Sequence, residues 1–326
     1  MIFVESPRHT QSTPAAAAEA HCNPQRIGQL VQSLSALHDA PQAALELIAC
    51  GQDAVAPLRE FLFRREPSGI YEPRCWAVRV LARIGACEVL VEFISADRQI
   101  SDPVERLGEE AVINSAARAL VQAPSEQAYT ALLTVARRRP LPGVIETLAE
   151  FQRAETVPLF IAALEDDVAR IPAEDALRRF GAAAARALVD AALLKVPPEG
   201  ESPSSLRRRR SALRLVAEMR GAETFRDLLQ PLTEDNDENI AAVACMIVLE
   251  CGTQIQKQRA VEILINCLGT ADWLLRAEME NALVRNFKIA GPAIGRIAAA
   301  DSTPAASRRQ RSIARVLARA ESEECA

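Results

Sequence analysis

The stretch RCWAVRVLARIG, from Arg74 to Gly85, places apolar side chains at spacings of three and four and stops at a glycine. Those two features mark an amphipathic helix with a C-terminal breaker. The frame returns as RIPAEDALRRFG, ending at Gly181, and as RRSALRLVAEMRG, ending at Gly221, each with an arginine eleven residues before the glycine: Arg74, Arg170 and Arg210. A fourth copy, LLRAEMENALVRNF, sets Arg276 at the same distance from Phe287, which takes the glycine's place. Recurrence at a fixed spacing marks an internal repeat, and a repeat array grows without the size limit of a single core.

A second shared unit precedes two of these helices: APLREFL from Ala56 and VPLFIAAL from Val157, with Pro57 and Pro158 suited to a first helical turn. Together the two units read as a proline-opened helix followed by one of the form R-x-x-A-x-x-x-L-x-x-x-G. Arg74, Ala77, Leu81 and Gly85 fill that form, as do Ala173 and Leu177 after Arg170. VINSAARALVQA and IAAVACMIVLECG keep Ala116/Leu120 and Ala244/Val248 without the arginine. This pattern resembles the HEAT-like repeats, including those named after phycobilisome lyases, over residues 40 to 320.

The resemblance implies an all-α fold: a right-handed α-solenoid of about eight stacked antiparallel helix pairs, about 30 to 40 residues each, with second helices on the concave face. It implies one armadillo-like array over 25–326. It also implies that Arg74, Arg170, Arg210 and Arg276 form a structural ladder, each paired with an acid of a neighbouring turn. Architecture of this kind hosts scaffolds, transport receptors, nucleic-acid binders and occasional enzymes, so function must come from side chains.

Residues 1–24, MIFVESPRHTQSTPAAAAEAHCNP, mix proline, Ser/Thr and alanine without an apolar face, and read as a flexible tail that is no signal peptide. Three long connections, 64–73, 98–108 and 195–205, fall between the first and second helix of a pair and are expected on one rim. Over the whole chain, 49% hydrophobic and 25% charged residues give ordinary globular composition. The net charge of −5 argues against a general nucleic-acid binder. Lysine occurs only at Lys195, Lys257 and Lys288, as a GC-rich bacterial genome would produce.

The eight cysteines, Cys22, Cys50, Cys75, Cys87, Cys245, Cys251, Cys267 and Cys325, include no C-x-x-C pair. They read as small, mostly unpaired buried hydrophobes in a reducing, cytoplasmic setting. No apolar run is long enough to span a membrane.

Chemistry is sparse. His9, His21 and His38 all precede the repeats. The repeat body therefore lacks the imidazole that most bases, nucleophile partners and metal sites use. Neither a Walker lysine loop, H-E-x-x-H, G-x-S-x-G nor a dinucleotide glycine fingerprint occurs. Glu109/Glu110 and Asp166/Asp167 read as caps or solvated charges at helix starts and turns, and TEDNDEN (233–239) as a link capped by Asp235, Asn236 and Asp237. A catalytic group, a cofactor and a metal are not expected. Trp76 and Trp273, each near the start of a second helix, read first as core, and Trp273, half exposed after a capping Asp272, is also a candidate partner contact.

The run SPSSLRRRRSALRLVAEMRG (202–221) carries the largest basic block. At 100° per residue, four successive arginines cannot share a face. Leu206, Leu213, Val216 and Ala217 mark the buried stripe, and Arg207, Arg210 and Arg214 an adjoining polar one. Arg208 points away from both, and Arg209 snorkels. Cations at a helix start oppose the macrodipole, with Glu199, Glu201 and Glu218 as internal counter-ions. Arg207, Arg208, Arg214 and Trp273 are thus the candidate contacts for a protein or peptide, acidic or phosphorylated. The alternatives are an accessory enzyme of the phycobilisome-lyase type, and a nucleic-acid binder using segments 137–139, 207–210 and 308–311.

Overall fold

The computed structural model describes residues 22–197, 200–219, 221–297 and 304–324, and among them every regular element is a helix. His9, His21, Glu199, Cys325 and most of the expected tail lie outside the described residues. The tail ends sooner than its composition suggests: Asn23 caps a helix beginning at Pro24, its side chain accepting from the Arg26 N–H at 2.8 Å. The chain divides into two compact units, Met1–Gln152 and Arg153–Ala326.

In the first unit, helices follow in pairs: α1 (Pro24–Ser33) with α2 (Ala40–Cys50), α3 (Val55–Phe63) with α4 (Glu72–Ile84), α5 (Cys87–Ser95) with α6 (Pro103–Ala119), and α7 (Glu126–Arg138) with α8 (Pro142–Glu150). First helices stack as one layer, α1 to α3 to α5 to α7, and second helices as another, α2 to α4 to α6 to α8. The second unit runs α9 (Val157–Ala163) with α10 (Arg170–Phe180), α11 (Ala182–Leu193) with α12 (Pro203–Glu218), α13 (Arg226–Leu229) with α14 (Glu238–Cys251), α15 (Gln254–Cys267) with α16 (Trp273–Arg285), and α17 (Phe287–Ile297) with α18 (Pro304–Glu324). Its second helices α10, α12, α14, α16 and α18 stack in that order, and α15 packs on α14 before it.

The small–large pattern is what joins the layers. Ala77/Leu81, Ala116/Leu120, Ala173/Leu177 and Ala244/Val248 are all at most 2% exposed. Each alanine lets a neighbouring helix come close, while the residue four positions on fills the space beside it. Gly85 closes α4 in the left-handed region, at φ 87°, with the Ala86 N–H donating back to the Leu81 carbonyl, the C-terminal closure that glycine allows without strain. Gly143 serves packing instead. A Cβ there would lie 2.5 Å from the Asn114 carbonyl oxygen, and the Gly143 N–H donates to the Asn114 side chain at 2.7 Å, seating α8 against α6.

Several boundaries differ from the sequence expectation. Asp102 and Ser202 cap α6 and α12, so the second and third connections end before Pro103 and Pro203 and the residues beyond are helical. α12 stops at Glu218, leaving Gly221 past its end rather than at it. Within the first unit the connection after α3 does meet the start of α6. A Cβ on Gly69 would touch Val104 at 2.6 Å, and one on Gly108 the Gly69 oxygen at 2.8 Å.

Cys22 and Cys50 form a disulfide, which ties the residue before the α1 cap to the end of α2. Cysteine usage therefore gives no argument for a reducing compartment. Of the free thiols, Cys75 and Cys245 are buried and Cys87, Cys251 and Cys267 half-buried. Burial pushes Cys245 up to about 12, the behaviour of a packed hydrophobe rather than a nucleophile. Among the described residues no helix is long and apolar enough to cross a membrane.

Candidate functional site

The arginine run is mostly structural. Because α12 begins at Pro203, Arg207–Arg210 occupy its second and third turns, beyond the reach of the N-terminal dipole. Arg209 does not snorkel: its side chain is fully buried, and all three guanidinium nitrogens are engaged. Nε donates to the Ala192 carbonyl at 2.8 Å, Nη1 to Glu201 at 2.7 Å and Nη2 to Asp235 at 2.5 Å. Lys195 adds a second cation at 3.0 Å from Asp235.

Arg208 is buried as well, bonded to Glu165 and, at 2.6 Å, to the Leu194 carbonyl, so it cannot offer its charge to a partner. Arg207 pairs with Asp167 at 2.7 Å. A single buried stripe misplaced these residues because α12 is covered on two sides: Leu215 is buried and Ala217 exposed.

The counter-ions also differ. Glu201 serves Arg209, Glu218 pairs with Arg178 at 2.8 Å, and Arg214 reaches Glu278 at 3.0 Å. Asp235 is held below the usual carboxylate range. Burial acts to raise it, but donors from Arg209, the Asp237 N–H and Lys195 outweigh that cost. A carboxyl depressed in the folded state stabilises above its unfolded pKa, about 3.9, and loses that stabilisation as pH falls through its folded value. Asp235→Asn should therefore lower the melting temperature at pH 7, and its difference from wild type should narrow on acidification below about pH 4. A difference that stays constant from neutral to acid pH would contradict the assignment.

The four recurrent arginines do not form one ladder. Arg74, nearly buried, pairs with Glu109 at 2.6 Å, and Arg210 pairs with Asp237, the cap of α14. Arg170 instead bonds Glu174 one turn along its own helix at 2.9 Å, and Arg276 donates to the Leu268 and Ala271 carbonyls. Glu109 lies mid-helix rather than at a helix start, holding both Arg74 and Arg98.

Second helices line a groove in each unit. In the second unit, a space of about 420 Å³ gathers Arg170, Arg210 and Arg214 with Glu174, Glu218 and Leu274 across α10, α12, α14 and α16. Arg207 and Arg208 are not among its lining residues. Trp273, the first residue of α16, is 77% exposed behind its cap Asp272, more than the half exposure a capped position suggests, and lies outside that lining as well. The groove's arginines are all ion-paired.

The first unit holds the larger groove, about 820 Å³, across α2, α4 and α6. Its residues recur at helical spacing: Glu72, Trp76, Arg79 and Arg83 on α4, Leu45 and Ile48 on α2, Ser115 and Arg118 on α6. Trp76 is not core; it is half-buried, with the Arg79 guanidinium 4.4 Å over its ring. The 4-3-4 spacing of Glu72, Trp76, Arg79 and Arg83 was open to sequence reading as one face of a helix, but its polarity reads equally as a solvated stripe.

Among the described residues, no group of three or more metal-ligating side chains comes together. No protein-family model matches the chain, and no curated protein matches it.

Proposed function

We propose that this protein is a non-catalytic scaffold built of HEAT-like helix pairs, which binds a protein or peptide along the faces of its second helices. The observation that carries this reading is the α2–α4–α6 groove, an open concavity lined by a mixture of apolar and charged side chains of the kind interfaces use. The nucleic-acid reading is weaker, since most arginines of two of its three segments are spent internally: Arg138 on Asp97, Arg139 on Glu110, and Arg207–Arg210 on five carboxylates.

The test is to fill the groove. Ala82 and Ala111 line it without being fully buried, so Ala82→Trp/Ala111→Trp occupies the space from the solvent side. With helicity and melting temperature retained, this variant should lose about tenfold or more of the affinity for partners that wild type captures from native lysate. Capture unchanged by the filled groove would overturn the reading.

A further inference from the structure

We infer that the α2–α4–α6 groove recognises an acidic peptide segment carrying an aliphatic or aromatic anchor. This rests on the groove being a protein-binding surface and adds the chemical class of what it binds.

The two grooves differ in free charge. In the second unit's groove, Arg170, Arg178, Arg210 and Arg214 are each held by a carboxylate, at 2.9, 2.8, 3.0 and 3.0 Å. In the first, Arg118 is committed to Glu146 at 2.6 Å, but Arg83 has no ion pair among the described residues and Arg79 reaches Glu72 only at 3.6 Å. Arg79 and Arg83 lie one turn apart on the same face of α4, so their forks open toward the same space. A planar guanidinium with unused donors matches a carboxylate bidentately. The surplus is therefore cationic, and the complementary ligand is acidic.

Apolar surface lies beside these cations. Leu45 is 63% exposed and Tyr71 44%, and both line the groove with Trp76 and Ile48. Exposed large apolar side chains gathered in a concavity gain from covering, which anchors a peptide by a leucine, phenylalanine or similar side chain. A nucleic acid could use the two cations and stack bases on Tyr71 and Trp76 but would leave the aliphatic Leu45 and Ile48 unmatched, so the lining favours a peptide.

Trp273→Phe leaves Trp76 as the only tryptophan, because the chain contains two. Into that protein one titrates a short fluorescein-labelled peptide of glutamate, leucine and phenylalanine. Three controls accompany it: the same peptide with lysine for glutamate, one with serine for the apolar residues, and a single-stranded oligonucleotide. The acidic, anchored peptide should bind saturably, shift Trp76 emission, and lose about tenfold in affinity in Arg79→Ala/Arg83→Ala, with partial recovery in Arg79→Lys/Arg83→Lys. The serine peptide should bind at least about tenfold more weakly.

No saturable binding, or affinity unaffected by the arginine double variant, overturns the inference. Preference for the lysine peptide or the oligonucleotide, still blocked by Ala82→Trp/Ala111→Trp, overturns the acidic-peptide class while the groove remains a binding surface. Binding of every probe unaffected by that filled groove removes both readings.

Discussion

Arg209→Met should cost the second unit about 3 to 5 kcal/mol, because removing one partner from a buried ionic cluster leaves the others uncompensated. The substitution keeps an unbranched chain in the cavity, so the loss is electrostatic more than steric. Asp235 and Glu201 would each lose a charge-assisted bond, at side-chain exposures of 4% and 17%, and the Ala192 carbonyl its donor. Lys195 still reaches Asp235, which places the outcome toward the lower end. For a unit of this size that is a fall in melting temperature on the order of 10 °C. Arg207→Ala, breaking a pair whose members are 28% and 77% exposed, should cost less than about 1 kcal/mol. Equal effects of the two substitutions, read by urea denaturation, would refute the division between a buried and a surface arginine.

Glu109→Ala is expected to be as damaging in the first unit, about 3 to 5 kcal/mol, since it strands two cations. Arg74 is 6% exposed at its side chain and Arg98 18%, and both converge on this one carboxylate. Burial already pushes Arg98 below the usual arginine value, yet a guanidinium stays charged and cannot escape by losing its proton. Its ring contacts, 3.9 Å over Phe93 and 5.1 Å over Phe63, soften the loss without replacing the counter-ion. Because Arg74 and Glu109 share one interaction, Arg74→Met/Glu109→Met should lose less than the sum of its single variants by about 1 to 3 kcal/mol. Strict additivity in that cycle would show that the pair contributes nothing as a pair.

How much of this was legible in the sequence depends on the range of the interaction. Helical period, caps at Asp237 and Asp272, and the buried small–large positions such as Ala77/Leu81 follow from residues within one or two turns of each other, and sequence spacing reports them directly. The fate of the arginine run does not. Arg208 is settled by Glu165 and Arg209 by Asp235, 43 and 26 residues away, and by a connection that folds back over α12. A helical wheel assigns one inside and one outside. It has no means of showing that a second layer covers the other side, and so it sent Arg208, and the head of a snorkelling Arg209, to solvent. Trp76 was misread for the opposite reason: an aromatic residue at helical spacing suits the core, and only the space left between α2, α4 and α6 puts its ring in a groove.

The separations of these pairs carry a kinetic consequence. Arg74–Glu109, Arg207–Asp167 and Arg209–Asp235 span 35, 40 and 26 residues, roughly the length of one helix pair. Closing such loops costs little more entropy than closing shorter ones, and contacts of this range keep the chain's contact order low. During synthesis a layer would need only the next few dozen residues to emerge before its charges meet their counter-ions. Whichever partner emerges first, guanidinium or carboxylate, thus waits only seconds for the other, at about 5 to 20 residues per second. The chain can consolidate from its N-terminal end while the rest is still being made.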